Sequence, residues 1–445
     1  MVQKKILGAA MIGHAVESYD FVIYGSSATI IAKHFFPEGN PTLAILSTLA
    51  VYGIAFVVRP VGAAVFGSIG DRLGRRTALS TVVLIMAIST AAIALLPGYT
   101  TAGIAAPLLL LSCRLAQGIS MGAEYTSAAS YVMEQAPPNK RGLWISAVGS
   151  ATFIGSAFAA FALLALHSAS PHAYTEWTWR IAFLFGGLMA LVGLYMRLSL
   201  EETSTFRNLE AHGETSASPV RESFRDWRLF LILFTIFTLL AVVVHNLLGY
   251  LPTYLTTTGG LTETTVLVAG GTALLLCTGL CILTGALTDR IGRKPLLITG
   301  VVIAVTGSVP AYVLAGGGTL LTTLAAEALL VIPAALIGMP ATIMAVELVP
   351  PHIRTTSTAL AYNTAYAVFG GTAPLLGALL TQHFGQLAPG IYITILAATA
   401  LVITTTALPE SRNRTTTTRR PHTVSRRRNP GPSRTSDLPR LRPRS

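Results

Sequence analysis

The ten residues Gly67-Ser68-Ile69-Gly70-Asp71-Arg72-Leu73-Gly74-Arg75-Arg76 stand between two apolar runs. A near copy, Gly285-Ala286-Leu287-Thr288-Asp289-Arg290-Ile291-Gly292-Arg293-Lys294, stands between two more. A second pair keeps the same rhythm: Glu134, Pro137 and Arg141 recur as Glu347, Pro350 and Arg354 with identical internal offsets. The copies are displaced by 218 residues for the first motif and 213 for the second. Two independent motifs moved by nearly one distance mark a duplication, and a repeat has to be read before any single element. Each motif is a short polar island between stretches long enough to cross a bilayer. The repeating unit is therefore a membrane unit, and it is half the chain.

A spanning helix needs about 20 mostly apolar residues. That template fits at 8–32, 43–66, 77–96, 103–127, 143–166, 178–197, 229–255, 265–287, 295–315, 319–346, 357–381 and 389–408, six runs on each side of a polar segment. Only 11% of residues are charged, against about 25% in soluble domains. The expected fold is an all-α membrane protein of twelve transmembrane helices: an N-terminal six-helix bundle over 1–197, a linker over 198–228, a C-terminal six-helix bundle over 229–408 and a basic tail over 409–445. Within the linker a short amphipathic helix is expected near Phe224–Leu229. Lys4 and Lys5 precede an apolar run that continues to a full span with no small-residue cleavage site, so the first helix is expected to be retained.

Basic residues set the orientation. With both termini in the cytoplasm, only Lys33 and Arg180 fall at the outer ends of spans, as the positive-inside rule requires. Both copies of the motif then face the cytoplasm of a multi-pass plasma-membrane protein. The net charge of +12 is concentrated in the tail, where eleven Arg stand against Glu410 and Asp437. A solvated tail near anionic lipid accounts for it better than nucleic-acid binding does. The Asp-Arg-x-Gly-Arg-Arg loop is glycine-rich and basic, but it follows no strand and lacks the Gly-Lys-Ser/Thr ending of a phosphate loop. Cys113, Cys277 and Cys281 lie inside apolar runs without further ligands, so no metal, cofactor or disulfide framework is expected.

Ionisable residues inside spans carry the chemistry, because a charge in lipid is costly. Glu17, Asp20, Arg59, Arg114, Glu124 and Glu327 meet that description. His14, Glu17, Asp20 and Tyr24 share one face of the first helix, and Arg114, Gln117, Met121 and Glu124 share one face of the fourth. The two stripes are expected to face a common cavity in which the helix 1 carboxylates balance Arg114. Protonation would then free the arginine for another partner. Arg59 is expected to support helix packing or the inner gate. Gly67, Gly70 and Gly74 should permit tight turns and close helix approach. Asp71, Arg72, Arg75 and Arg76, with Asp289, Arg290, Gly292 and Arg293, should form a latch at a water-exposed mouth, supported by Glu134, Arg141, Glu347 and Arg354. In the second half the polar residues are His245, Asn246, Tyr250, Tyr254, Tyr362, Asn363 and Tyr366, with Tyr254 read as an interfacial anchor. Glu327 has no evident partner; it is either protonated or close to the outer surface.

With these residues in place, the paired motifs and Arg114-Leu-Ala-Gln117-Gly118 resemble the major facilitator superfamily. More narrowly, His14-Ala-Val-Glu17-Ser-Tyr19-Asp20-Phe21-Val-Ile-Tyr24-Gly25 resembles the first helix of its metabolite:proton symporters. So do Phe35-Phe36-Pro37, Arg59-Pro60-Val-Gly62, Gly122-Ala-Glu124-Tyr125-Thr126, Trp177-Thr-Trp179-Arg180 and Leu200-Glu201-Glu202-Thr203. Within that group the chain looks most like the proline/betaine transporters, through Ile104-Ala-Ala-Pro107, Glu124-Tyr-Thr126 and Tyr250-Leu-Pro252-Thr-Tyr254-Leu. The resemblance implies two six-helix bundles around a central site, working by alternating access. The function it implies is proton-driven uptake of a small polar solute, a zwitterion such as proline or betaine, without enzymatic activity. The rival is a di- or tricarboxylate symporter in which Arg59 and Arg114 bind an anionic substrate. On the zwitterion reading Glu17, Asp20 and Glu124 couple the proton. His14, Tyr24, Arg114, Gln117, Tyr125, His245, Asn246, Tyr250 and Asn363 then contact the substrate.

Overall fold

Four of the spanning helices are interrupted, and a proline sits at three of the interruptions. Helix α1 (Val2–Ser26) resumes past Ser27 as Ala28–Phe35, and α2 runs Pro41–Val57 and then Arg59–Arg72. Next come α3 (Arg75–Leu95), α4 (Ala105–Gln135), α5 (Arg141–Ala169) and α6 (Trp179–Leu198). The second half begins with α7 (Trp227–His245), which passes through a π turn, Asn246–Tyr250, into Leu251–Thr257. It continues with α8 (Glu263–Ile291), α9 (Arg293–Ala315) and α10 (Leu320–Leu348). Helix α11 (Arg354–Ala365) passes through a second π turn, Tyr366–Gly370, into Ala373–Phe384, and α12 is Ala388–Thr406. Pro60, Pro252 and Pro374 each occupy one of the first two positions of the resumed segment of α2, α7 and α11. Proline has no N–H and its ring crowds the carbonyl four residues back, so the preceding turn widens or breaks.

This structure, a computed structural model, describes residues 2–37 and 41–412, and no strand occurs among them. Among the described residues eleven helices are long and apolar enough to cross a membrane. The twelfth span is α4. Its 31 residues are ample in length, at about 1.5 Å rise per residue, but Arg114, Gln117, Glu124 and Glu134 lower its apolarity. The protein is an all-α, twelve-helix membrane protein, and its least apolar span buries both Arg114 and Glu124.

The two halves meet where the repeat brings small residues together. A Cβ on Gly67 of α2 would lie 2.7 Å from the Thr356 backbone of α11, and one on Gly285 of α8 would lie 2.3 Å from Ser146 of α5. These glycines are 218 residues apart and begin the two copies of the motif, so α2 crosses α11 as α8 crosses α5. The C-terminal half has a continuous apolar core, including Val242, Leu251, Leu297, Val301, Leu330 and Ile337. The N-terminal half buries Asp20, Arg114, Gln117, Glu124 and Arg197 completely between smaller apolar clusters.

Four expectations change. The linker carries its helices at Ser204–Ala211 and Pro219–Ser223, capped by Thr203 and opened by Pro219, and α7 already begins at Trp227. Tyr254 is buried rather than interfacial, donating to the Tyr312 carbonyl at 3.3 Å. Glu410, Ser411 and Arg412 are packed against the second half, so the tail read from 409 begins later; its remaining residues, 413–445, lie outside the described residues. Arg197, counted at the cytoplasmic end of the sixth span, has no exposed surface.

Candidate functional site

Three polar centres lie along the interface between the halves and inside the first half. The deepest joins α1, α3 and α4. Arg114 donates to Asp20 Oδ2 at 2.9 Å and to Gln117 Oε1 at 2.7 Å, while Gln117 Nε2 and Thr90 Oγ1 each donate to Asp20 Oδ1 at 2.8 Å. The Arg114 guanidinium also lies 3.4 Å from the centroid of the Tyr24 ring. All four polar side chains are fully buried. A buried carboxylate opposite a buried arginine settles the desolvation of both, provided the remaining lone pairs are bonded, and here Asp20 is held by three side chains. Arg114, Gln117 and Tyr24, expected to touch substrate, are instead enclosed within the N-terminal half in this conformation.

The second centre is a ring of contacts drawn from both halves. Glu17 lies 3.6 Å from Arg59, and His14 Nδ1 lies 3.2 Å from Glu17 Oε2. His14 Nε2 is 2.6 Å from Thr152 Oγ1, and its ring stacks on Tyr125 at 4.6 Å. Tyr125 meets Tyr362 of α11 at 5.4 Å, and Tyr362 stacks on Tyr366 at 4.1 Å. Tyr366 meets the edge of His245 at 5.3 Å, His245 meets Phe56 at 5.5 Å, and the Arg59 guanidinium lies 4.7 Å from the Phe56 centroid and 5.3 Å from Phe21. The path closes on itself: one anion and one cation at its N-terminal rim, aromatic faces around the remainder. Arg59, read as a packing or gate residue, belongs to this ring. The break at Val58 and Pro60 begins a new helical segment at Arg59, which places that side chain beside α1.

The remaining expected contacts fall elsewhere. Asn246 donates to the Val242 carbonyl and accepts from Tyr312, while Tyr250 bonds Thr381, so both lie within the second half. Asn363 donates to the Gly122 carbonyl of α4 at 2.5 Å and ties the halves together. Glu124 does not face Arg114. Both its oxygens are taken by Arg197, one at 2.8 Å, and the same guanidinium donates to the carbonyls of Ala9 at 3.2 Å and Leu79 at 2.9 Å. Residues of α1, α3, α4 and α6 thus meet at one arginine.

The third centre closes the face that carries the repeated motifs. Asp71 accepts from the backbone N–H groups of Thr355 and Thr356, at 3.1 and 2.8 Å, and from the Thr356 hydroxyl at 2.7 Å. These donors begin α11, so the carboxylate of one half sits at a helix N-terminus of the other, where unpaired N–H groups and the helix dipole favour an anion. Asp289 does the same at α5, accepting from Gly142 at 2.9 Å and Leu143 at 3.0 Å. Arg75 pairs with Asp71 at 2.8 Å, reaches the Pro351 carbonyl at 2.5 Å and lies 3.7 Å from Glu134, which pairs with Arg354 at 2.8 Å. Arg293 pairs with Glu347 at 2.9 Å.

The latch was expected at a water-exposed mouth, but Asp71 and Arg75 have no exposed surface and Arg354 has 2%. Surface values of 0–1 kcal/mol per pair therefore do not apply; breaking one partner of a buried pair costs about 3–5 kcal/mol. Arg72 and Arg290 are exposed and join none of these ion pairs. Arg76 instead donates to the Leu198 carbonyl at 2.5 Å, and Arg141 makes no ion pair among the described residues.

A third repeated element completes the face. Thr203 donates to Glu134 and Ser411 to Glu347, both at 2.6 Å. Glu202 accepts from the N–H of Arg76, and Glu410 from those of Arg293 and Lys294. Leu200-Glu-Glu-Thr203 and Leu408-Pro-Glu-Ser411 are thus equivalent, displaced by 208 residues. That offset was readable, and it would have placed Glu410 and Ser411 in the fold. The motif glycines Gly74 and Gly292 have φ of +107° and +113°, which only glycine adopts freely, and a Cβ there would collide with Glu202 or Glu410.

The profile described as Major Facilitator Superfamily matches residues 10–374. The chain is 34% identical over 419 residues to the inner membrane metabolite transport protein YhjE of Escherichia coli strain K12, covering 90% of this chain and 93% of that one. It is 32% identical over 429 residues to the proline/betaine transporter of Salmonella typhimurium, covering 92% and 84%. Among solved structures, the proton:xylose symporter XylE bound to 6-bromo-6-deoxy-D-glucose superposes with a TM-score of 0.77 at 17% identity, over 92% of this chain and 97% of that one. With twelve helices in two repeated bundles and a family match over most of its length, this chain belongs to the major facilitator superfamily, a family of membrane transporters and not of enzymes.

Proposed function

We propose that this chain is a proton-coupled symporter of the plasma membrane, with both termini cytoplasmic, that takes up a small zwitterion of the proline or betaine kind. The observation that carries the reading is the Glu17–Arg59 pair in a ring of aromatic faces between the halves. A zwitterion supplies one cation and one carboxylate, and it can replace that ion pair without leaving either protein charge unpaired. Arginine's planar fork suits a carboxylate. A quaternary or secondary ammonium is attracted to aromatic faces such as those of Phe56, Tyr362 and Tyr366. The names of the relatives in Salmonella typhimurium and Escherichia coli, proline/betaine transporters, agree with that chemistry. A dicarboxylate would need a second cation beside Arg59, and Arg114 is enclosed by Asp20, Gln117 and Tyr24.

Asp20 and Glu17 are the groups proposed to take the coupled proton. Protonating Asp20 would release Arg114 and loosen α1 from α4; protonating Glu17 would free Arg59 for the substrate carboxylate. Glu124, committed to Arg197, is not proposed for this role. Each proton entering down a potential contributes about 2.3 kcal/mol per 100 mV, enough for more than a tenfold solute gradient.

Purified protein in proteoliposomes should accumulate radiolabelled proline or betaine under an inward proton gradient and lose it when a protonophore is added. Arg59→Lys keeps the charge but loses the fork, and we expect at least roughly tenfold weaker substrate binding. Accumulation of a dicarboxylate in place of a zwitterion, or insensitivity to the protonophore, would overturn the reading.

A further inference from the structure

We propose that Glu327 is a second proton-binding site, lying in the C-terminal half at the repeat counterpart of Arg114. Glu134 and Arg141 recur as Glu347 and Arg354 with an offset of 213 residues, and the same offset carries Arg114 onto Glu327. The two residues occupy comparable depths, nine residues into α4 and seven into α10. The sequence left two alternatives for Glu327, protonation or a place near the outer surface. Its 5% exposure and its position about 10 Å along the helix from Leu320 remove the second.

In the first half this position holds a cation, and Asp20 neutralises it. In the second half it holds a carboxyl group with no counter-ion. Glu327 makes no hydrogen bond or ion pair among the described residues, and its Oε2 is fully enclosed. Helix α10 packs against α4, α5 and α11, whose Arg114, Glu124, Tyr125 and Tyr362 have the partners given above, and against α7 with its π turn, α8 and α9, which carry His245, Tyr250, Cys277 and Tyr312. Three of these last four are bonded elsewhere: Tyr312 to Asn246, Tyr250 to Thr381 and His245 to the Ala241 carbonyl. Asp289 and Arg293, at the end of α8 and the start of α9, belong to the closed motif face, and Glu263 opens α8 at its opposite end. An isolated carboxylate so placed costs far more than its protonated form, so Glu327 carries a proton in this state.

The surrounding helices can change that state. Pro333 and Pro340 interrupt the hydrogen bonding of α10, and Pro310 that of the neighbouring α9. Helices bend at such positions. When the halves rock and the cytoplasmic face opens, water reaches the carboxyl. The O–H bond breaks, the proton passes to cytoplasmic water, and the carboxylate takes a new proton from the outer side on return. The cycle then carries one proton more than the Asp20 and Glu17 groups provide.

This inference rests on the proton-coupled reading above, and one experiment separates their failures. Proton-to-solute stoichiometry is measured in proteoliposomes from reversal potentials, for wild type and Glu327→Gln, with Asp20→Asn beside them. Glutamine keeps the shape of a protonated carboxyl and cannot release a proton. We expect Glu327→Gln to carry one proton fewer per solute, lowering the maximal accumulation ratio roughly 40-fold per 100 mV. An unchanged stoichiometry in Glu327→Gln, with wild type moving protons, overturns the inference alone. Absence of proton movement in wild type overturns the proposed function. Should Glu327→Gln fail to insert, infrared difference spectra of wild type and Glu327→Asp decide. A protonated carboxyl band lost on opening the cytoplasmic face, and altered by the aspartate, supports the site; a band that never changes sinks it.

Discussion

Arg197 has no exposed surface, and it donates to Glu124 and to the carbonyls of two further helices. It is one residue from the end of α6, where an arginine ordinarily marks a cytoplasmic boundary, so the sequence offers no signal of its depth. The depth comes from α1 and α3 closing over it: a Cβ on Gly13 would lie 1.9 Å from its guanidinium. Glu124 was legible as a buried ion but not as this arginine's partner, because pairing depends on how four helices are rotated. Removing one member strands the other. Arg197→Ala should therefore destabilise by about 3–5 kcal/mol, whereas the double variant Arg197→Ala/Glu124→Ala should cost distinctly less. Thermal unfolding in detergent reads both, and equal losses would mean that the pair is not what holds these helices.

The N-terminus of α9 shows how a helix end is assembled from a distant segment. Gly292 turns the chain with a positive φ, and Glu410 accepts from the N–H groups of Arg293 and Lys294 and from those of Ser411 and Arg412. Burial alone would raise the Glu410 carboxyl, but these four donors outweigh it and hold it below the usual glutamate range. A group depressed in the folded state contributes stability above its unfolded value and loses it as the pH falls through the folded one. Glu410→Gln should thus be less stable than wild type at neutral pH, with the difference shrinking below about pH 4; a pH-independent difference would contradict the role. Truncation after Pro409 should likewise weaken the fold and uptake, while truncation after Arg412 should spare both. The repeated glycines and arginines were legible because they recur in unmistakable order. Glu410 and Ser411 were legible only through the 208-residue offset, because Leu-Pro-Glu-Ser borders a run of arginine and threonine and by itself reads as the start of a tail.

Fold and topology were legible because apolar length and repeat offset need no knowledge of packing. The ring around Glu17 and Arg59 was only half legible, because its two rims come from different bundles and their alignment follows from the conformation. That conformation has the motif face closed, and the repeat closes it unevenly. Asp71 and Asp289 each cap a helix of the opposite half, but only one of the paired glutamates crosses between halves. Glu134 binds Arg354 at 2.8 Å, whereas Glu347 is held within its own half by Arg293 and Ser411. Glu134→Gln should therefore release the face, and Glu347→Gln should leave it closed while weakening the end of α9. With about 3 kcal/mol lost from a buried pair, the open-to-closed ratio rises roughly 100-fold. Spin labels at the exposed positions 72 and 290, one in each half and outside the network, report the separation directly. Longer distances should dominate in Glu134→Gln and stay minor in Glu347→Gln; equal opening in both would mean that the latch is symmetric and that the Glu134–Arg354 contact does not set the balance between states.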